Sequence, residues 1–255
     1  MCGIIGFGGQ IRAGQWGQTY RLLTALLLAA EHRGTDATGF MARAEPLRDP
    51  LRSQSIVSKA AVQASQFVEN DPAFLRLAHQ RCIAFLGHVR AATHGDPADN
   101  QNNHPFTSED GNYHLVHNGI VPNHEEIADK FGLRLTSQCD SELLLRLVEK
   151  SESPQLGLRW CLKENHGSMA VAMYDATTAT VLLARNSGRP LWLARLENDR
   201  CWWFASTAEI IHEAFHSVLG KMVPFDYFLP VPENTPVVIT WFGQVWASHG
   251  LVLEY

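Results

Sequence analysis

Met1-Cys2-Gly3-Ile4-Ile5-Gly6-Phe7-Gly8-Gly9 opens the chain. Ile4, Ile5 and Phe7 interleaved with four glycines read as a short buried strand that other backbone or a ligand can approach closely. The same stretch puts Cys2 one peptide bond from the start. Once an initiator Met1 is clipped, Cys2 carries a thiol and a free α-amine on one residue, so nucleophile and general base arrive together without a separately placed histidine. An α-amine with a pKa of about 7.7 to 8.0 is partly unprotonated near neutrality, and a thiol of about 8.5 lies within its reach. The alternative is a cysteine that is only a small buried apolar residue, and these nine residues leave both readings open. No lipid anchor is expected, because no basic or apolar signal stretch comes before Cys2 and residue 2 is not glycine.

The 255 residues, 45% hydrophobic and 18% charged, suit one globular domain over 1–255 that buries about 70 to 75% of its unfolded surface. The longest apolar run, residues 22–30, is far short of the roughly 20 needed to span a membrane, so no membrane association is expected. The formal charge is -5 with the basic residues scattered, which provides no footprint for a nucleic acid. Cys2, Cys82, Cys139, Cys161 and Cys201 are odd in number and widely spaced. That pattern fits neither a disulfide framework nor a zinc site and points to a reducing cytoplasm. His117 and His124 do not share helical spacing, and no metal or other cofactor is expected.

Along the chain, Leu22, Leu23, Leu26, Leu27 and Ala30 form the stripe of a core-facing helix over 18–31. A polar turn from His32 to Gly39 leads to a strand over 40–44. Residues 45–53 read as loop, 60–69 and 73–80 as helices, the second entered through Pro72, and 82–88 as a strand. From that strand runs Gly87-His88-Val89-Arg90-Ala91-Ala92-Thr93-His94-Gly95, continuing as a polar loop to Pro105; a loop this long in a compact domain is often functional. Arg90 at the strand end could clamp a carboxylate in bidentate fashion or serve a surface ion pair. A strand over 113–116 delivers His117-Asn118-Gly119, either a plain turn or two donors aimed at one developing oxyanion. Helices follow over 123–131, closed by Gly132, and over 141–150, with Asp140 as a candidate cap. The remainder reads as strands at 168–174, 180–185, 191–194, 202–205, 237–241, 245–249 and 252–255, with a short helix from Thr207. Strands apolar on both faces need cover, which suggests stacked sheets between helical layers, an α+β fold.

Taken together, Cys2-Gly3-Ile4, Arg33-Gly34-x-Asp36-x-x-Gly39, Gly87-His88-x-Arg90-x-x-Thr93-His94-Gly95, His117-Asn118-Gly119 and Cys139-Asp140-Ser141-Glu142 resemble the class II glutamine amidotransferase domain. The nearest likeness is the glutaminase half of glucosamine-6-phosphate synthase. It continues through Gly167 to Val171, Leu183 to Leu191 and Phe204 to Thr207. The resemblance implies the four-layer αββα sandwich of N-terminal nucleophile hydrolases and hydrolysis of the glutamine side-chain amide to glutamate and ammonia. It implies Cys2 as nucleophile, Asn118 and the Gly119 N–H as oxyanion donors, Arg90 with Thr93 and His94 for the α-carboxylate of glutamine, and Asp140 for its α-ammonium. Arg33 and Gly34 are expected to brace the N-terminal residue. Ala91 departs from the bulky aromatic that other members carry there. No acceptor domain is expected within 1–255, which makes the chain a stand-alone glutaminase subunit handing ammonia to a separate synthase. Two rival readings are an amidohydrolase acting on another γ-glutamyl amide and a silent glutamine-binding module.

Overall fold

The computed structural model describes residues 1–45, 54–220 and 223–247. Its strands are β1 (Gly3–Gln10), β2 (Ala37–Ala44), β3 (Ser55–Ala60), β4 (Cys82–Arg90), β5 (Phe106–Thr107), β6 (Tyr113–Gly119), β7 (Met169–Asp175), β8 (Thr180–Arg185), β9 (Trp192–Leu196), β10 (Arg200–Ala205), β11 (Phe225–Pro230), β12 (Val237–Thr240) and β13 (Val245–Ala247). The α-helices are α1 (Trp16–Ala30), α2 (Ala64–Asn70), α3 (Pro72–Arg76), α4 (His124–Phe131), α5 (Ser141–Lys150), α6 (Pro154–Glu164) and α7 (Ala208–Leu219).

The strands form two antiparallel sheets, one in the order β11-β9-β10-β1-β4-β2-β3 and the other β13-β12-β8-β7-β6-β5. Successive strand residues point to opposite faces, and three apolar clusters follow from that alternation. Ile4, Leu86, Val116, Ala170, Ala172 and Phe204 fill the space between the sheets. Ile5, Phe7, Phe85 and Trp203 face outward against α1 and α7, and Leu115, Met169, Val171 and Leu182 face outward against α5 and α6. The result is helices, sheet, sheet, helices: the αββα sandwich that both-faced apolar strands demand.

Several local expectations shift. Strand β4 runs on to Arg90, and β6 to Gly119, so the residues read as loop-borne stand on strand ends. Residue 60 ends a strand that pairs with β2, Thr38 opposite Ala60, instead of starting a helix. Helix α6 was not anticipated, although Ser153-Pro154 carries its start signal: the Ser153 Oγ accepts from the Leu156 N–H at 3.3 Å and proline occupies the first turn. Edge strand β11 was also missed, because pairing with β9, with a register shift between Phe225 and Tyr227, creates it more than any alternation in sequence. Gly132 ends α4 as expected, at φ 61°. The loop expected over 45–53 falls, after residue 45, outside the described residues, as do the end of the strand expected over 245–249 and all of the one over 252–255.

Candidate active site

Strands β1 and β4 lie side by side with Gly3 opposite Val89 and Ile4 opposite His88. One residue further along the same antiparallel register, Cys2 comes beside Arg90. Ile4 and Leu86 face the second sheet, so the alternation turns Cys2 and Arg90 to that inner face as well. From the opposite sheet, Val116 faces inward and Leu115 outward, which turns Asn118 inward and His117 outward. Strand β6 packs against both β1 and β4. The site is therefore one end of the inter-sheet layer.

Asn118 is buried, and its Nδ2 has no hydrogen-bond partner, an unusual state for a buried amide. The Ile120 N–H donates to Ser168 O at 2.9 Å; in an antiparallel ladder the preceding N–H then faces away from the partner strand. The Gly119 N–H is thus free of β7. Glycine is required here because a Cβ would lie 2.0 Å from Ser168 O and 2.6 Å from His117 Nε2.

Cys2 is half-buried and its thiol donates to Ala91 O at 3.5 Å. Burial pushes the thiol up, an effect partly offset by the Ala91 carbonyl contact, the N-terminal charge and Arg90, and reinforced by Asp140. Arg33 Nε donates to Cys2 O at 2.9 Å. Gly34 is pressed against the peptide after Arg90, where a Cβ would meet Arg90 C at 2.3 Å and Ala91 N at 2.5 Å. Arg33 thus contacts the N-terminal segment directly, while Gly34 lies against the peptide whose Ala91 carbonyl meets the Cys2 thiol. Asp36 holds the same peptide: its N–H donates to Arg90 O at 3.0 Å and its Oδ2 accepts from the Ala92 N–H at 2.7 Å.

Arg90 is buried. Its Nη1 donates to Asn103 Oδ1 at 2.7 Å, and its Nη2 donates to Gly95 O at 3.1 Å and to the His94 carbonyl. Of the five N–H donors of a guanidinium, the Nε–H and one Nη1–H stay outside this network. The side chains of Thr93 and His94 are exposed, and the His94 ring packs edge-on to His124 with centroids 6.0 Å apart. The fold thus joins His94 to Arg90 by its backbone and leaves both side chains at the rim.

Asp140 is buried but does not cap α5; its Oδ2 accepts from the Val121 N–H at 2.7 Å, tying it to the segment just past Gly119. The segment before it is anchored by Glu142, which accepts from Thr136 N and Oγ1, Ser137 N and Arg146. Burial alone would raise the Glu142 carboxyl; the Ser137 and Thr136 hydrogen bonds and Arg146 outweigh it and leave it lowered.

The sequence reading did not single out a set of buried polar groups behind the site. His88 Nε2 lies 2.9 Å from His117 O, His117 Nδ1 lies 2.8 Å from Ser141 Oγ, and the His104 ring stacks on His88 at 4.0 Å. Burial pushes His88 down to about 3 and lowers His104 and His117 as well, so these rings are neutral at pH 7. The loop itself is tied by Asn102, whose Oδ1 accepts from the Gln138 N–H at 2.8 Å, by Asn103, and by Lys59, whose Nζ donates to Asn103 O at 2.6 Å and Pro105 O at 3.1 Å. The run Asn100-Gln101-Asn102-Asn103 was the signal available, since short amides in a long loop often bond backbone; that two of the three asparagines are buried was not.

All five cysteines are free. One histidine pair does carry helical spacing: His212 and His216 stand four apart on α7 with ring centroids 5.7 Å apart. His212 also packs on Phe228 at 4.5 Å. Among the described residues no group of three potential ligands could hold a metal there or elsewhere, and no helix is long and apolar enough to cross a membrane.

Residues 88–213 match the model of the glutamine amidotransferase domain. The glutamine–fructose-6-phosphate aminotransferase (isomerizing) of Thermus thermophilus is 34% identical over 195 residues, covering 72% of this chain and 28% of that protein. The Staphylococcus aureus protein of the same name is 28% identical over 199 residues, covering 76% of this chain and 30% of that protein. The chain thus spans under a third of the length of these relatives. Among solved structures, the glutamine phosphoribosylpyrophosphate amidotransferase from B. subtilis superposes with a TM-score of 0.71 at 21% identity, over 97% of this chain and 49% of that one. That likeness shows that this chain shares its fold with about half of that protein.

Proposed function

Because the chain belongs to the class II glutamine amidotransferase domain family, we propose that it hydrolyses the side-chain amide of glutamine to glutamate and ammonia, with Cys2 as nucleophile once Met1 has been removed. Met1 is 68% exposed, as removal requires. The half-buried Cys2 thiol is raised and its described hydrogen bond goes to a carbonyl, so it needs a proton acceptor at hand. The α-amine of the same residue meets that need. It takes the thiol proton as sulfur attacks the amide carbon, then passes the proton to the departing ammonia. Water resolves the thioester with the same amine as base.

The observation that carries this reading is the buried, unpartnered Asn118 Nδ2 at the end of the sandwich where Cys2 stands. With the free Gly119 N–H it forms an oxyanion hole whose donors are in place before the charge develops. Arg90, with two N–H groups outside its loop network, binds the α-carboxylate, and buried Asp140 takes the α-ammonium. Thr93 and His94 close over the carboxylate from the rim.

The test is intact mass together with ammonia release from glutamine, with Cys2→Ala as control. Loss of one methionine and activity that vanishes in the variant support the proposal. Glutamine bound by the processed chain with no ammonia released supports a silent module instead. Ala91, whose carbonyl meets the thiol, has only a methyl side chain, which favours one second reading, turnover of larger γ-glutamyl amides; a substrate panel in which these outrun glutamine would install it. Delivery of the ammonia to a separate synthase belongs to the same proposal. It is tested by whether a co-purified partner couples glutamine hydrolysis to amination of its own substrate.

A further inference from the structure

We infer that Asn102 is a specificity-determining residue of the proposed site: its buried amide fixes the loop that holds Arg90 against the segment that presents Asp140, and so sets the spacing at which one ligand must carry both an α-carboxylate and an α-ammonium. The inference rests on the reading above that gives Arg90 and Asp140 the two charges of glutamine.

Asn102 is fully buried at the end of the short 3₁₀ turn Asn100–Asn102, on the far limb of the loop that follows β4. Its Nδ2 donates to Asp96 O at 3.0 Å, and its Oδ1 accepts from the Gln138 N–H at 2.8 Å. The amide cannot be turned over, because a carbonyl oxygen does not donate and a backbone N–H does not accept. One face of it lies on Gly95, at φ 76°, where a Cβ would come within 2.6 Å of Asn102 Cγ. Gly95 O is in turn one of the acceptors that hold the Arg90 guanidinium. Neighbouring Asn103 provides a contrast: its Nδ2 bonds stay inside the loop, on Pro97 O at 2.7 Å and Asn100 Oδ1 at 3.0 Å. The Asn102 Oδ1 leaves the loop and reaches a residue 36 positions on.

The segment it reaches is itself held firmly. The N–H groups of Thr136 and Ser137 go to the Glu142 carboxylate at 2.9 and 2.6 Å, and the next N–H, that of Gln138, goes to Asn102. Two residues further stands Asp140, bonded to the Val121 N–H at 2.7 Å. Each end of the site therefore has an anchor of its own, Arg90 on Asn103 Oδ1 and Asp140 on Val121. The Asn102 amide ties the loop of one to the segment of the other. Glutamine carries its carboxylate and its ammonium on one carbon, so both bind at full strength only where their partners are already spaced for them. A site that must find the spacing loses part of the gain in ordering its own loops. A ligand with one of the two charges makes no such demand.

The experiment measures dissociation constants by NMR titration on processed Cys2→Ala protein, which leaves the amide uncleaved, with and without Asn102→Ala. The probes are L-glutamine, glutaramate, which lacks the ammonium, and 4-aminobutanamide, which lacks the carboxylate. Loss of the bond to Gln138 is expected to weaken glutamine about 10-fold and each one-charge analogue less than about 2-fold, so the preference for the doubly charged ligand narrows. Equal weakening of all three would make Asn102 a plain structural residue and overturns the inference, as does unchanged glutamine binding. A Cys2→Ala protein that binds none of the three refutes the site reading and the inference with it. The expected narrowing in a protein whose Cys2 form releases no ammonia upholds the inference and refutes the reaction alone. Should Asn102→Ala fail to fold, hydrogen exchange of the Gln138 N–H in the Cys2→Ala protein decides: glutaramate, which engages only the Arg90 end, must slow it, and a rate indifferent to glutaramate overturns the inference.

Discussion

The Arg90 guanidinium and the side-chain oxygen of Asn103 meet at 2.7 Å, and both residues are buried. The bond crosses from a strand end to the far limb of the loop that strand releases, so the loop sets the direction in which Arg90 points. A hydrogen bond to a charged group contributes about 1.5 to 3 kcal/mol. Asn103→Ala is therefore expected to raise KM for glutamine about 10- to 100-fold while kcat falls less, measured by steady-state ammonia release. An unchanged KM would show that Arg90 needs no such partner.

Asn118→Ala should separate catalysis from stability. Its Nδ2 bonds nothing in the free protein, so truncation breaks no donor contact of that amide, while one oxyanion donor is worth about 100- to 1,000-fold in turnover. The expected result is that loss in kcat with KM and melting temperature near those of wild type. A variant that melts far lower would mark Asn118 as a structural residue.

Gly34→Ala tests the brace. A Cβ at this position would lie 2.3 Å from Arg90 C and 2.5 Å from Ala91 N, and backbone cannot yield as a flexible side chain would. Overpacking of this kind costs about 1 to 3 kcal/mol. Urea unfolding should show that loss together with weakened glutamine binding, since the displaced peptide carries Arg90; binding unaffected by the change would uncouple brace from site.

Acid should unfold the protein through its buried histidines. His88 is pushed down to about 3 and His114 to about 4 by burial, and His104 and His117 are lowered too. The folded state then binds fewer protons than an unfolded chain whose histidines titrate near about 6.5. Stability is complete above that pH and falls as pH drops through the window down to the folded values, by about 1.4 kcal/mol per pH unit for each fully engaged histidine. Chemical unfolding at pH 7.5, 6 and 5 measures the slope. A flat profile between 7 and 5 would mean that these rings take up protons in the folded state.

Much of the candidate site is composed of local patterns that the chain displays. A glycine-rich strand behind Cys2, a strand leading toward Arg90 and another leading toward Asn118-Gly119 each follow from short patterns, although both strands run further than those patterns indicate. The contact that Asp140 makes could not be read so. An acidic residue before a helix reads as a cap, and only the packing of α5 beside the end of β6 gives its carboxylate the Val121 N–H. The His88, His104 and His117 cluster was hidden for a similar reason: the rings sit on two strands and a loop of different sheets, and sequence distance says nothing of their stacking. The His212 and His216 pair was visible in the chain and went unread.

What the sequence by itself determined is the layer order and the candidates for the reacting groups. Alternation of apolar residues on strands and their recurrence on helices dictate which faces must be covered, and a cysteine at position 2 would carry its own base once Met1 is removed. What only the tertiary structure decided is which polar groups are left without partners. Asn118 Nδ2 is unpartnered because the strand that carries it is locked by other bonds. Burial and orientation belong to the packed whole, and a buried donor or charge gains its strength only where water and competing partners have been excluded.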